Sequence, residues 1–105
     1  MGKAAVTPEE VRNMIGQGET VNVEFKGERS RPLNDTDLVE AVVCLAHRQD
    51  HDWEYLFVGV EGDGSVIGAR PHHGDSGTDP FRVAAMIGSR THPAIACRVE
   101  EFMIL

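Results

Sequence analysis

Within GETVNVEFKGERSR, residues 18–31, acids and bases stand close enough to act on one another. Glu19 lies at the entrance of an alternating segment. Glu24 and Lys26, two residues apart, share one side of it because side chains in a strand repeat every second residue. A carboxylate beside an ammonium can aim that ammonium at a phosphate, or it can join other carboxylates around a divalent cation. Glu61 is the third carboxylate of interest. It ends the hydrophobic run Leu56–Val60 and would lie near Glu19 and Glu24 if the two strands are neighbours. Lys26, Arg29 and Arg31, in and after the first strand, are the best candidates for nucleic-acid contact, since phosphate binding needs several cations on one face.

Two chemistries follow from these residues. Glu19, Glu24 and Glu61 around Mg²⁺ or Mn²⁺ would support metal-dependent cleavage of a phosphodiester, while Lys26, Arg29 and Arg31 would bind a nucleic-acid backbone without catalysis. An ordinary solvated strand face accounts for the same charges with neither. Other chemistries find less support. His47 and His51 are four apart at a helix end, His72, His73 and Asp75 share a Gly-rich loop, and His92 precedes a proline, but no Cys pair or HExxH run accompanies them. The serines lack a GxSxG elbow, and no GxxxxGK[ST] run offers a phosphate cradle, so neither a hydrolase triad nor an ATPase is expected. Trp53 and Tyr55 are read as core-directed, with base stacking as the alternative.

Positioning these residues requires a small set of elements. Thr7, Pro8 and Glu10 form a capping box with proline in the first turn, and Val6 can staple against Val11, so a short lid-like helix should run to Gly16. Thr20–Lys26 alternates and predicts a half-buried strand with Val21, Val23 and Phe25 packed against the next helix. That helix, Asp37–Arg48, is capped by Asp35 or Thr36 and is apolar around nearly its whole circumference, so it needs cover on more than one side. Gln49–Asp52 should end it. Trp53–Val60 and Ser65–Ala69 then read as a hairpin about Glu61-Gly62-Asp63-Gly64. A helix Phe81–Ser89, capped by Thr78 or Asp79 with Pro80 in its first turn, precedes a last strand Ile95–Val99 and an apolar tail, Phe102–Leu105. The order α-β-α-β-β-α-β predicts an α+β fold, a mixed β-sheet with helices packed against it.

Length and charge bound the partners. The 105 residues fit one domain, 1–105, and the abrupt apolar end leads us to expect the N-terminal part of a longer protein. The net charge of −7 opposes non-specific attraction to nucleic acid or anionic lipid; residues 1–52 hold ten acids against six bases and residues 53–105 hold seven against four, so any cationic surface must be local. No run approaches the ~18 apolar residues of a membrane helix, and MGKAAVTPEE is not a secretory leader, so no membrane partner is expected. Cys44 and Cys97, each flanked by apolar residues, read as buried thiols in a reducing, cytoplasmic setting.

ETVNVEFK, the apolar helix after it and LFVGVEGDGSVIG, in this order, resemble the Schlafen/AlbA-like DNA-binding domain, also called divergent AAA-4. The resemblance extends from about Glu19 to Phe102. Glu24 and Lys26 match the EFK strand, Gly59 and Glu61 the glycine and acid of the hairpin, Gly68 the glycine beyond it, and Pro93 the proline before the final strand. The resemblance implies a DNA-binding module of a bacterial transcriptional regulator with further C-terminal domains. It also implies, from the eukaryotic Schlafen branch, an RNA-cleaving carboxylate trio at the positions of Glu19, Glu24 and Glu61. One departure stands out: LAHRQDHDWEYLF has His47 where the family has Asn and lacks the glycine pair of the following turn. The expectation is therefore a DNA-binding domain that is not itself an enzyme and holds no cofactor, with RNA and a second copy of the chain as further partners. The alternatives are a Mg²⁺- or Mn²⁺-dependent ribonuclease-like domain and a non-catalytic protein interaction or dimerisation module.

Overall fold

The computed structural model describes residues 6–47 and 53–104. It contains α1 (Pro8–Gln17), β1 (Val23–Lys26), α2 (Asp35–Ala46), β2 (Tyr55–Val58) and α3 (Pro80–Arg90). The class is α+β, as the periodicities predict. β1 and β2 run parallel, with Val23 opposite Tyr55 and Lys26 opposite Val58, and α2 makes the crossover between them. The expected polar end of α2, Gln49–Asp52, lies outside the described residues, as do Arg48 and His51.

The capping box of α1 forms as read: the Thr7 hydroxyl accepts from Glu10 N–H and the Glu10 carboxylate accepts from Thr7 N–H. This helix is more than a lid. Met14 and Ile15 pack on the cluster of Val23, Phe25 and Val60, so the apolar face of β1 is covered by α1, where α2 was expected. Val21 also departs from expectation, at 64% exposed. Thr20 and Val23 exchange backbone hydrogen bonds across a tight turn, which places Val21 at its tip and delays the two-residue alternation until Val23.

α2 begins two residues early, at Asp35, because Asn34 is its cap. The Asn34 side chain accepts from Asp37 N–H, and Asp37 accepts from Asn34 N–H. Leu38, Ala41 and Leu45 are buried, and the helix lies against both β2 and α3, which meets its need for cover on two sides. Asp79 caps α3 by accepting from Phe81 and Arg82 N–H, and Val83 and Ile87 form its buried face.

Two expected strands are reduced. The second arm of the hairpin survives as one antiparallel bridge, Val60 with Val66, because Gly59 at φ 94° and Gly68 at φ 106° bend the chain there, and Ile67 and Gly68 N–H both turn to the Gly59 carbonyl. Residues 95–99 form no ladder, although Ile95, Cys97 and Val99 are half-buried while Ala96, Arg98 and Glu100 are exposed. The alternation is present without the partner strand. Both cysteines are free, but Cys44 is exposed on α2 and only Cys97 is partly buried, where its surroundings push the thiol pKa up.

Candidate functional site

The loop after β1 is organised by Glu28, only 2% exposed. Its carboxylate accepts from Leu33 N–H at 2.7 Å and Arg70 N–H at 2.8 Å, and its two oxygens each lie 3.2 Å from His72 Nε2. The Glu28 carbonyl accepts from the Arg70 guanidinium at 3.1 Å. Burial alone would push this carboxyl up, but the bonds from Leu33, Arg70 and His72 outweigh it and hold the pKa below the ordinary glutamate value. Glu28 thus clasps two loops, residues 27–34 and 70–73, that are some forty positions apart in sequence. Nearby, His73 Nε2 lies 2.7 Å from Asp35 Oδ1, and the Arg90 guanidinium lies 3.6 Å from Asp35 Oδ2. The second loop is thereby fastened to the start of α2 as well.

This clasp sets the stage for the three candidate cations. Arg31 grips Asp37 in a two-pronged pair, 2.7 and 3.3 Å, which raises the guanidinium pKa and lowers that of the carboxyl. Lys26 lies 3.7 Å from Glu24 and is also close enough for its charge to favour ionised Asp37. Arg29 is exposed and acts on Asp63, whose carboxyl is held below its usual range first by bonds from Ser65 and then by the Arg29 charge. Arg31 is thus tied to the start of α2, while Lys26 pairs with Glu24 on β1. Lys26 and Arg31 each sit beside a carboxylate.

The three candidate carboxylates are given separate duties. Glu19 Oε1 accepts from Phe25 N–H at 3.0 Å and so secures the strand entrance. Glu24 faces Lys26 on the polar side of β1. Glu61 leans over Gly27, so closely that a Cβ at residue 27 would fall on its carboxylate, and its buried Oε2 finds no hydrogen-bond partner among the described residues. No three His, Cys, Asp or Glu side chains among the described residues are grouped to hold a metal ion.

Sequence reasoning missed Glu28 altogether. Counting from Glu24 and Lys26 places it on the wet face of β1, and only the fold brings Arg70 and His72 over it. His72 and His73 are engaged as carboxylate partners, and His47 Nδ1 lies 2.7 Å from the Val43 carbonyl at the end of α2. Trp53 is half-buried beside α3, and Tyr55 stacks on Phe57 against the core cluster. No family model, curated protein or solved structure matches the chain. No helix among the described residues is long and apolar enough to cross a membrane.

Proposed function

We propose that this chain is a DNA-binding module of a bacterial transcriptional regulator and engages the phosphate backbone through Lys26, Arg29 and Arg31. The observation that carries this reading is the anchoring at Glu28 of the loop that bears Arg29 and Arg31 directly after Lys26, with Arg31 held two-pronged by Asp37. A preorganised cationic loop loses little freedom when it meets a phosphate. Its ion pairs lie at the surface, where solvent screens them, so a phosphate can compete with Asp37 or Glu24 for these cations. The overall negative charge confines binding to this loop and disfavours other modes of approach. The ordered resemblance of EFK, hairpin and Pro93 to Schlafen/AlbA-like domains supports the same assignment.

Anisotropy titrations with several duplexes of unrelated sequence provide the test. Replacing Lys26, Arg29 and Arg31 by alanine together should weaken all of them by a similar factor, because phosphate contacts carry little sequence information. Loss confined to one duplex would point to base readout elsewhere. No duplex binding by the wild-type chain at low salt would refute the reading.

One observation favours a second reading, a metal-dependent ribonuclease-like activity. The unpartnered Oε2 of Glu61 beside the EFK strand is a buried carboxylate oxygen that a Mg²⁺ or Mn²⁺ ion would satisfy. Labelled RNA and single-stranded DNA, incubated with either metal or with chelator, decide it. Metal-dependent cleavage that disappears in Glu24→Ala and Glu61→Gln would establish the activity, and intact substrates would leave these acids as structural residues.

A further inference from the structure

We infer that the strand-like segment at residues 95–100 joins two copies of this chain by antiparallel pairing about Val99. The segment has a strand's alternation, with Ile95, Cys97 and Val99 half-buried and Ala96, Arg98 and Glu100 exposed; beyond Glu100 the phase reverses, with Phe102 and Ile104 half-buried and Glu101 and Met103 exposed. Yet no backbone hydrogen bond of residues 96–104 to another backbone group occurs among the described residues. A strand edge with open N–H and C=O groups is a template for another strand. Apolar surface accompanies it: Met103 is 83% exposed, and the segment borders a groove of about 540 Å³ along α3, whose Phe81 is 84% exposed.

Charge complementarity selects the occupant. In a two-fold antiparallel pair centred on Val99, Arg98 of each copy lies opposite Glu100 of the other, on the same sheet face. Moving the axis one residue either way opposes Arg98 to Arg98 or Glu100 to Glu100, and like charges directly opposite destabilise a pair. Within one chain Arg98 Nε already lies 3.0 Å from Glu100 Oε1, so both side chains share the face that the pairing requires. The inference does not depend on what the cationic loop binds.

Sedimentation equilibrium over a range of concentrations tests it with the full chain. Wild type should dimerise reversibly. Arg98→Glu and Glu100→Arg should each weaken association by about tenfold or more, since two opposed pairs turn repulsive in every dimer. The double variant R98E/E100R restores opposite charges and should recover dimerisation, and an equimolar mixture of the two single variants should form a heterodimer. That mixture separates pairing between chains from the 3.0 Å pair within one chain, which mixing cannot rescue. A wild-type chain that stays monomeric at its highest soluble concentration, or a dimer indifferent to both reversals, would overturn the proposal; in the first case the groove serves a different partner.

Discussion

At the scale of single residues, Glu28 carries the greatest structural responsibility in the candidate site. Three donors converge on one buried carboxylate, so Glu28→Gln, which exchanges one acceptor oxygen for an NH₂ group, must leave a buried donor facing another donor. We expect a loss of about 1–3 kcal/mol, read as a fall in the urea midpoint. The pH dependence has a definite sign. The folded pKa of Glu28 is lowered, so its contribution is complete above the unfolded value of about 4.3 and disappears as pH falls through the lower folded value. Wild-type stability should decline with acidification across that window, and Glu28→Gln should show a shallower decline. An unchanged acid profile in the variant would mean that other carboxylates govern this range. Arg31, by contrast, is exposed and Asp37 half-buried at the surface, so solvent screens their pairing and it bears less on stability than Glu28 does.

At the scale of elements, the parts that could be read from sequence were those fixed by local rules. The Thr7–Glu10 box, the Asp79 cap, the apolar α2 and the core pair Val23 and Phe25 each follow from neighbouring residues, and the structure has all of them. The remainder depended on distant groups. Which helix covers β1 is decided by packing, and Met14 and Ile15 occupy the place assigned to α2. The hairpin failed to extend for a backbone reason: Gly59 sits at positive φ against the backbone of Gly68 and Ala69. Gly59→Ala should therefore destabilise the protein by at least about 1–3 kcal/mol, through the unfavourable φ alone. Gly62→Ala, at a turn position with open space around it, should change stability by less than about 0.5 kcal/mol. Equal effects in thermal or denaturant unfolding would contradict this account of the bend. The carboxylate that Arg31 grips, Asp37, was not legible in the sequence, because that pair crosses from the loop to the start of α2.

At the scale of the whole molecule, the burial of the core and the net charge of −7 shape behaviour together. No large side chain among the described residues is fully buried, so stability should respond strongly to association. If the strand about Val99 pairs two copies, the melting temperature should rise with protein concentration, whereas R98E should melt at a temperature independent of it. The central claim, however, is that Lys26, Arg29 and Arg31 meet phosphates, and the salt dependence of duplex binding tests it most directly. Each phosphate neutralised adds about 0.9 to the slope of log K against log salt, so the triple alanine variant should lower that slope by up to about 2.7 relative to wild type. A variant whose affinity and slope both equal those of the wild-type chain would contradict the assignment of these three residues to the DNA backbone.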